Sequence, residues 1–181
     1  VETFDARAKL VDTHTVELSD GSRKTAKHIL IATGGRPIVP DFPGSDLAVT
    51  SNEMFLLDQM PQSILIVGGG YIASEFAGIM NGLGVQTTQF YRGTQILRGF
   101  DEEARDIVAE GMIQSGIDLR LNTNVVEMRK DGDKIRVSDT AGEERLFDVV
   151  MYATGRAPNA DDVGLEALGI ERGRQGEILV E

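Results

Sequence analysis

Residues 64–75 read Ile64-Leu65-Ile66-Val67-Gly68-Gly69-Gly70-Tyr71-Ile72-Ala73-Ser74-Glu75: an apolar run, three glycines, then a helical pattern. An apolar strand that enters a glycine turn and leaves as a helix is the first half of a βαβ unit. The free N–H groups and the positive dipole end of such a helix face whatever lies over the turn. The spacing Gly68-x-Gly70-x-x-Ala73 gives each small residue a task. Gly68 permits the tight turn, Gly70 lets the backbone approach a pyrophosphate, and Ala73 allows close packing of helix on strand. Glycines after a strand also make ordinary turns, so the context has to decide. Here residues 71–83 carry Phe76, Ala77, Ile79, Met80 and Leu83 at helical spacing, Gly84 suits a C-terminal cap, and residues 85–91 read as a second strand. The predicted feature is a dinucleotide site on the glycine turn.

The end of the second strand bears on which dinucleotide. An NAD site usually has an acid there, about 20 residues past the glycines, to accept from the ribose 2′-hydroxyl. This chain has Gln89-Phe90-Tyr91-Arg92-Gly93-Thr94-Gln95-Ile96-Leu97-Arg98 instead. A carboxylate would repel a 2′-phosphate, whereas arginines pair with it through charge-assisted hydrogen bonds. Arg92 and Arg98 are therefore the candidate 2′-phosphate ligands, against the plainer reading of two solvated loop arginines. The pattern favours NADP(H).

With these motifs the chain resembles the FAD-dependent pyridine nucleotide–disulfide oxidoreductases, in particular their glutathione reductase branch. Residues 68–75 with Arg92 and Arg98 look like that branch's NADPH-binding segment. Ile31-Ala32-Thr33-Gly34-Gly35-Arg36-Pro37 looks like the family's first Ala-Thr-Gly motif, and Tyr152-Ala153-Thr154-Gly155-Arg156-Ala157-Pro158-Asn159 like its second. The resemblance implies that Gly68, Gly69 and Gly70 line the pyrophosphate and that Tyr71 covers a nicotinamide pocket beside the flavin. It implies that Ile72 and Glu75 flank the nicotinamide and that Thr154 and Gly155 close the opposite wall. It also implies that Ala32, Thr33 and Gly34 form a cofactor-side turn. Read from the residues alone, Tyr71 could equally be a helix-start residue, Glu75 an acid favoured by the helix dipole, and either Ala-Thr-Gly a strand-ending turn.

The departures from the pattern are specific. The family's reaction requires bound FAD, a redox-active cysteine pair and a histidine from the C-terminal domain of a partner subunit. This chain has no cysteine, one dinucleotide glycine motif, and only His14 and His28 as histidines, neither with a visible nucleophile partner. It runs from Val1 to Glu181. The expectation is a central piece of a longer enzyme, inactive in isolation. In that parent NADPH would reduce FAD, and FAD in turn a disulfide such as glutathione disulfide. The parent would be a cytoplasmic homodimer joined through a C-terminal domain absent here. The alternatives are another FAD-dependent reductase of dihydrolipoamide, mercuric or ferredoxin type, and a stand-alone NADP-binding module.

Composition narrows the partners. The net charge of −11 argues against nucleic acid and anionic membrane surfaces, and it repels NADPH at long range, so local arginines must overcome it. No apolar run approaches the roughly 18 residues of a membrane span. Asp101-Glu102-Glu103 could suggest a metal, but they open a helix whose dipole favours acids, and no metal site is expected.

The predicted fold class is α/β: a Rossmann-like three-layer dinucleotide-binding domain with a parallel sheet and a β-meander, flanked by partial FAD-domain strands. The expected domains are a partial FAD segment over 1–44, an NADPH-binding domain over 45–158 and a return toward the FAD domain over 159–181. Strands are expected over 2–11, 15–18 and 25–32, with a turn at Asp20-Gly21. Thr50-x-x-Glu53 suits a capping box opening a short helix to residue 58. Asp101 caps a second long helix with Ala104, Ile107, Val108, Met112 and Ile113 facing inward. Strands follow over 117–121, 124–129, 134–139 and 146–152, the last three as the meander. A short helix over 163–168 and a strand over 177–180 complete the prediction.

Overall fold

Alternation near the start of the chain is realised as three short antiparallel strands: β1 (Ala8–Asp12), β2 (Thr15–Leu18) and β3 (Arg23–Thr25), in the order β1-β2-β3. The computed structural model describes residues 1–180. The Asp20-Gly21 turn forms as expected, with the Ser22 N–H donating to Asp20 Oδ1 at 2.8 Å. Residues 28–32, expected to continue a strand, pair with no strand among the described residues. Ile29 and Ile31 still pack against the small core of Leu10, Ala160, Val163 and Leu165. Apolar burial here is achieved without a ladder. A further short strand, β4 (Gly35–Pro37), closes this stretch.

The next segment opens with α1 (Ser51–Met54). Its capping box is present: the Thr50 N–H donates to Glu53 Oε2 at 2.7 Å, and Thr50 Oγ1 accepts from the Asn52 N–H at 3.3 Å. The helix is one turn long and stops well before residue 58, and Phe55 and Leu56 beyond it are exposed.

The glycine motif then builds the expected βαβ. β5 (Ser63–Val67) is buried at every position, α2 (Tyr71–Gly82) follows the turn, and β6 (Gln86–Tyr91) lies parallel to β5. A second unit repeats the pattern through α3 (Glu102–Gln114) to β7 (Asp118–Leu121). β8 (Val125–Asp131), β9 (Lys134–Asp139) and β10 (Glu144–Phe147) form an antiparallel meander, and β11 (Val149–Tyr152) returns to the parallel sheet, whose order is β11-β5-β6-β7.

The single strand expected over 146–152 is thus two strands in two sheets. The corner is Asp148, whose Oδ2 accepts from the Ser63 N–H at 2.7 Å and from Ser63 Oγ at 2.8 Å. Lys134 Nζ lies 3.2 Å from its other oxygen. Burial alone would raise the Asp148 pKa; the Ser63 bonds and Lys134 outweigh it and hold the carboxyl below its usual range.

One face of the parallel sheet, with Ile64, Ile66 and Met151, packs on Ala73, Ala77, Met80, Ala109 and Met112 of the helices. The other, with Leu65, Val67, Phe90, Val150 and Tyr152, packs on Val125, Met128, Ile135, Val137 and Phe147 of the meander side. A strand covered on both faces tends to be apolar, as β5 is from Ile64 to Val67. Burying each of Ile64, Leu65 and Ile66 contributes about 1.5–3 kcal/mol.

The helix faces are narrower than the sequence pattern suggested. In α2 Ile79 and Leu83 are exposed, and Phe76 is half-buried with its ring edge-on to Phe55 at 5.4 Å. In α3 Ala104, Ile107, Val108 and Ile113 point away from the core, Ile107 at 69% exposure. Of the expected faces Ala77, Met80 and Met112 make the contact, joined by Ala73 and Ala109. The alanines let each helix lie close on the sheet, which leaves the bulky flanking residues outside the contact.

β12 (Arg156–Pro158) pairs with β4. The helix expected over 163–168 is one 3₁₀ turn, Glu166–Leu168, and the strand expected over 177–180 reduces to a bridge between Arg172 and Ile178. The chain divides into two compact units, residues 37–155 and the remainder on either side. The connection after Pro37 goes with the larger unit, since Val39, Phe42, Leu47 and Ala48 pack on its meander-side core and the Met128 N–H donates to the Pro43 carbonyl at 2.9 Å.

Candidate functional site

The parallel sheet of the larger unit ends in three successive turns on one edge: the glycine turn after β5, the arginine loop after β6 and the Ala153-Thr154-Gly155 turn after β11. Ligands of open α/β sheets bind at these carboxyl ends of the strands.

Gly68 adopts φ +144°, and a Cβ there would collide with the Ala153 carbonyl oxygen. That single contact explains why only glycine fits, and it brings the second Ala-Thr-Gly turn against the first glycine. Gly70 caps α2 with φ −85° and ψ 177°, and a Cβ on it would meet nothing within 4 Å. The space over the helix start is therefore open. The Gly69 and Gly70 N–H groups donate to no protein group among the described residues. Two unspent donors at a helix N-terminus suit an anion.

The arginine loop is tied directly to this turn. The Leu97 N–H donates to the Gly69 carbonyl at 2.6 Å, with Leu97 itself in the left-handed region at φ 57°. From α3, Arg105 Nε donates to the Ile96 carbonyl at 2.7 Å and its second guanidinium nitrogen to the Gln95 carbonyl at 3.1 Å. Gln95 Nε2 donates to Asp106 Oδ1 at 2.6 Å, and Gln95 Oε1 accepts from the Ile96 N–H at 2.9 Å. Ile96 is fully buried beneath. On this framework Arg92 and Arg98 are exposed and form no ion pair among the described residues. By contrast Arg120, Arg129, Arg136 and Arg145 all pair with carboxylates.

Tyr71 opens α2 half-exposed, Ile72 is partly buried and Glu75 lies exposed one turn on. Thr154 Oγ1 donates to the Ile38 carbonyl at 3.2 Å, and Gly155 has φ 156° with no neighbour where a Cβ would lie. Ala32, Thr33 and Gly34 belong to the other unit. There Asn159 holds their turn, its N–H donating to the Gly34 carbonyl at 2.9 Å and its Nδ2 to the Thr33 carbonyl at 3.1 Å.

Sequence reasoning missed Arg105, Gln95 and Gln89. Gln89 is a fully buried polar residue in the middle of β6 whose Nε2 donates to the Gly68 carbonyl at 2.9 Å. Gln86, Thr87 and Thr88 precede it in the same strand, so its polarity alone did not single it out. Nothing local marked Arg105, whose partners lie nine and ten residues earlier. Among the described residues no group of His, Cys, Asp and Glu could hold a metal, and no helix is long and apolar enough to cross a membrane.

Residues 1–181 match the family described as pyridine nucleotide-disulphide oxidoreductase, and the chain belongs to that family. It is 51% identical over 175 residues to a glutathione reductase of Nostoc sp., covering 94% of this chain and 38% of that protein. It is 44% identical over 181 residues to a glutathione reductase of Burkholderia cepacia, covering 100% of this chain and 40% of the relative. A chloroplastic/mitochondrial glutathione reductase of Pisum sativum is 46% identical over 182 residues, 100% of this chain and 33% of its own. The chain thus spans 33–40% of the length of these relatives. Its fold is that of the HOCl-induced flavoprotein disulfide reductase RclA from Escherichia coli, with TM-score 0.89 at 24% identity over 99% of this chain and 42% of that one.

Proposed function

We infer, on the premise of that family membership, that the unit of residues 37–155 binds NADPH and presents it for hydride transfer to a flavin. The observation that carries the reading is the bond from the Leu97 N–H to the Gly69 carbonyl, which joins an open glycine turn to a loop bearing two unpaired arginines. The residues fit the cofactor: open space at Gly70, free N–H groups at Gly69 and Gly70, and cations a short loop away.

In this reading Gly68, Gly69 and Gly70 line the pyrophosphate, and Arg92 and Arg98 take the 2′-phosphate. Tyr71 covers the nicotinamide pocket, Ile72 and Glu75 flank it, and Thr154 and Gly155 form its far wall. The bound nicotinamide supplies the hydride; this chain's residues orient it and exclude water. For FAD the smaller unit offers the exposed turn of Ala32, Thr33 and Gly34, and flavin binding is proposed for the whole protein. That protein is proposed to be a cytoplasmic, homodimeric disulfide reductase acting on glutathione disulfide, in keeping with the glutathione reductases it matches. The 181 residues contain no cysteine, so no dithiol step can run on them, and alone they are expected not to reduce glutathione disulfide.

Calorimetric titration with NADPH and, separately, NADH tests the reading. NADPH binding at least about tenfold tighter is expected, since hydrogen bonds to charged groups are each worth about 1.5–3 kcal/mol. Equal affinities would reduce the arginines to solvated loop residues and point to an NAD-dependent relative. Binding of neither would remove the nucleotide site.

A further inference from the structure

Three consecutive glycines make a permissive turn, because each residue samples conformations closed to other side chains. A turn meant to meet an anion with fixed donors therefore needs something outside itself to hold it. β6 supplies that in two neighbouring residues. The Phe90 carbonyl accepts from the Gly68 N–H at 2.9 Å, and Gln89 Nε2 donates to the Gly68 carbonyl at 2.9 Å. Both polar groups of Gly68 are thus tied to the same strand.

The Gln89 bond comes at a cost. The side chain is fully buried, in register with Ile66 on the helix-facing side of the sheet, and its Oε1 has no hydrogen-bond partner. Reversing the amide would set that oxygen against the Gly68 carbonyl, acceptor against acceptor, so the observed orientation is the one that forms a bond. An aliphatic side chain would fill the position without stranding an acceptor, and leaving a buried acceptor unmade is unfavourable. What the amide achieves in return is its hold on Gly68.

That hold has a directional consequence. The Gly68 carbonyl and the Gly69 N–H belong to one planar trans peptide and point in opposite directions. With the carbonyl drawn inward to Gln89, the Gly69 N–H faces outward, and it is one of the unspent donors of the turn. We propose that Gln89 is a positioning residue: it locks the 68–69 peptide so that the Gly69 N–H is aimed at the nucleotide's pyrophosphate before the nucleotide arrives. This rests on the nucleotide-site reading above.

The test compares two probes by calorimetry on variants shown to be folded by circular dichroism. NADPH carries both the pyrophosphate and the 2′-phosphate; adenosine 2′-monophosphate carries only the latter. Gln89→Met keeps the volume and removes the donor. It should weaken NADPH binding about tenfold while leaving adenosine 2′-monophosphate binding unchanged. A general structural role would weaken both probes together, and NADPH affinity within twofold of the parent chain would show that the bond does no positioning; either result overturns the proposal. Gln89→Glu supplies a second arm if the methionine variant does not fold. Its protonated acid can donate to the Gly68 carbonyl and its carboxylate cannot. NADP⁺ affinity relative to the parent chain should therefore recover as pH falls, and a flat ratio contradicts the proposal. If the parent chain binds neither probe, the nucleotide reading fails first; if it binds both and Gln89→Met is silent, only the positioning role fails.

Discussion

The glycine turn and the arginine loop lie at the same end of the parallel sheet and touch through one hydrogen bond, yet they are held in different ways. The turn is possible only through what its residues lack, since no Cβ fits at Gly68 beside the Ala153 carbonyl, and its ties run to Gln89 and Phe90 of the adjacent strand. The loop is fixed by what other elements contribute: Arg105 and Asp106 of α3 bond its backbone and Gln95. A feature enforced by backbone sterics is written in a few adjacent letters. A feature enforced by side chains from the next helix is written across the chain.

Variants of each region can break or sharpen this contrast. The largest effect is expected for Gly68→Ala, which combines an unfavourable φ with a backbone collision. It should lose roughly 3 kcal/mol of stability in urea denaturation. Wild-type stability there would mean that the turn can relax and is not sterically enforced. Arg105→Met comes next. It strips two charge-assisted bonds from the loop while keeping much of the side chain's bulk, and about 2 kcal/mol should go. NADPH affinity should fall with it, because the platform under Arg92 and Arg98 loosens. Unchanged affinity would show that the loop keeps its shape without α3.

Arg92→Ala and Arg98→Ala reverse the balance. Each should cost NADPH affinity tenfold or more, leave NADH affinity alone and move stability by less than about 0.5 kcal/mol, since neither is paired in the fold. A larger stability loss would make them structural. The smallest effect concerns Asp148, which anchors the opposite end of β5. Its carboxyl is held below its usual range, so its stabilising contribution is full above the ordinary carboxylate pKa near 4 and is lost as pH falls through the lower folded value. Asp148→Asn should remove that portion of the acid-side loss in a pH series of melting temperatures. An unaltered acid limb would place the pH sensitivity elsewhere.

The same contrast governs how much could be read in advance. Gly68, Gly70 and Ala73 announced the turn, and the structure has strand, turn, helix and second parallel strand where the spacing put them. Thr50 and Glu53 announced their capping box just as locally. Helix faces were misread because apolar spacing shows which residues can be buried. Met112 was legible in that way, but spacing does not show that Ala109 would join it and leave Ile107 and Ile113 outside. The sheet switch at Asp148 was invisible because its cause, Ser63, lies 85 residues earlier. Gln89 did not stand out beside Gln86, Thr87 and Thr88 of the same strand, and its meaning depended on which carbonyl lay beneath it.

The central claim is that Arg92 and Arg98 grip a 2′-phosphate at the edge of the glycine turn. The most direct measurement is ³¹P nuclear magnetic resonance of bound NADP⁺ across a pH series. A free phosphate monoester loses its second proton near pH 6. Two guanidinium groups favour the dianion and push that titration to lower pH. The account predicts that the 2′-phosphate signal of the bound nucleotide stays at its dianionic position well below about pH 6. A signal that titrates as it does in the free nucleotide would contradict it.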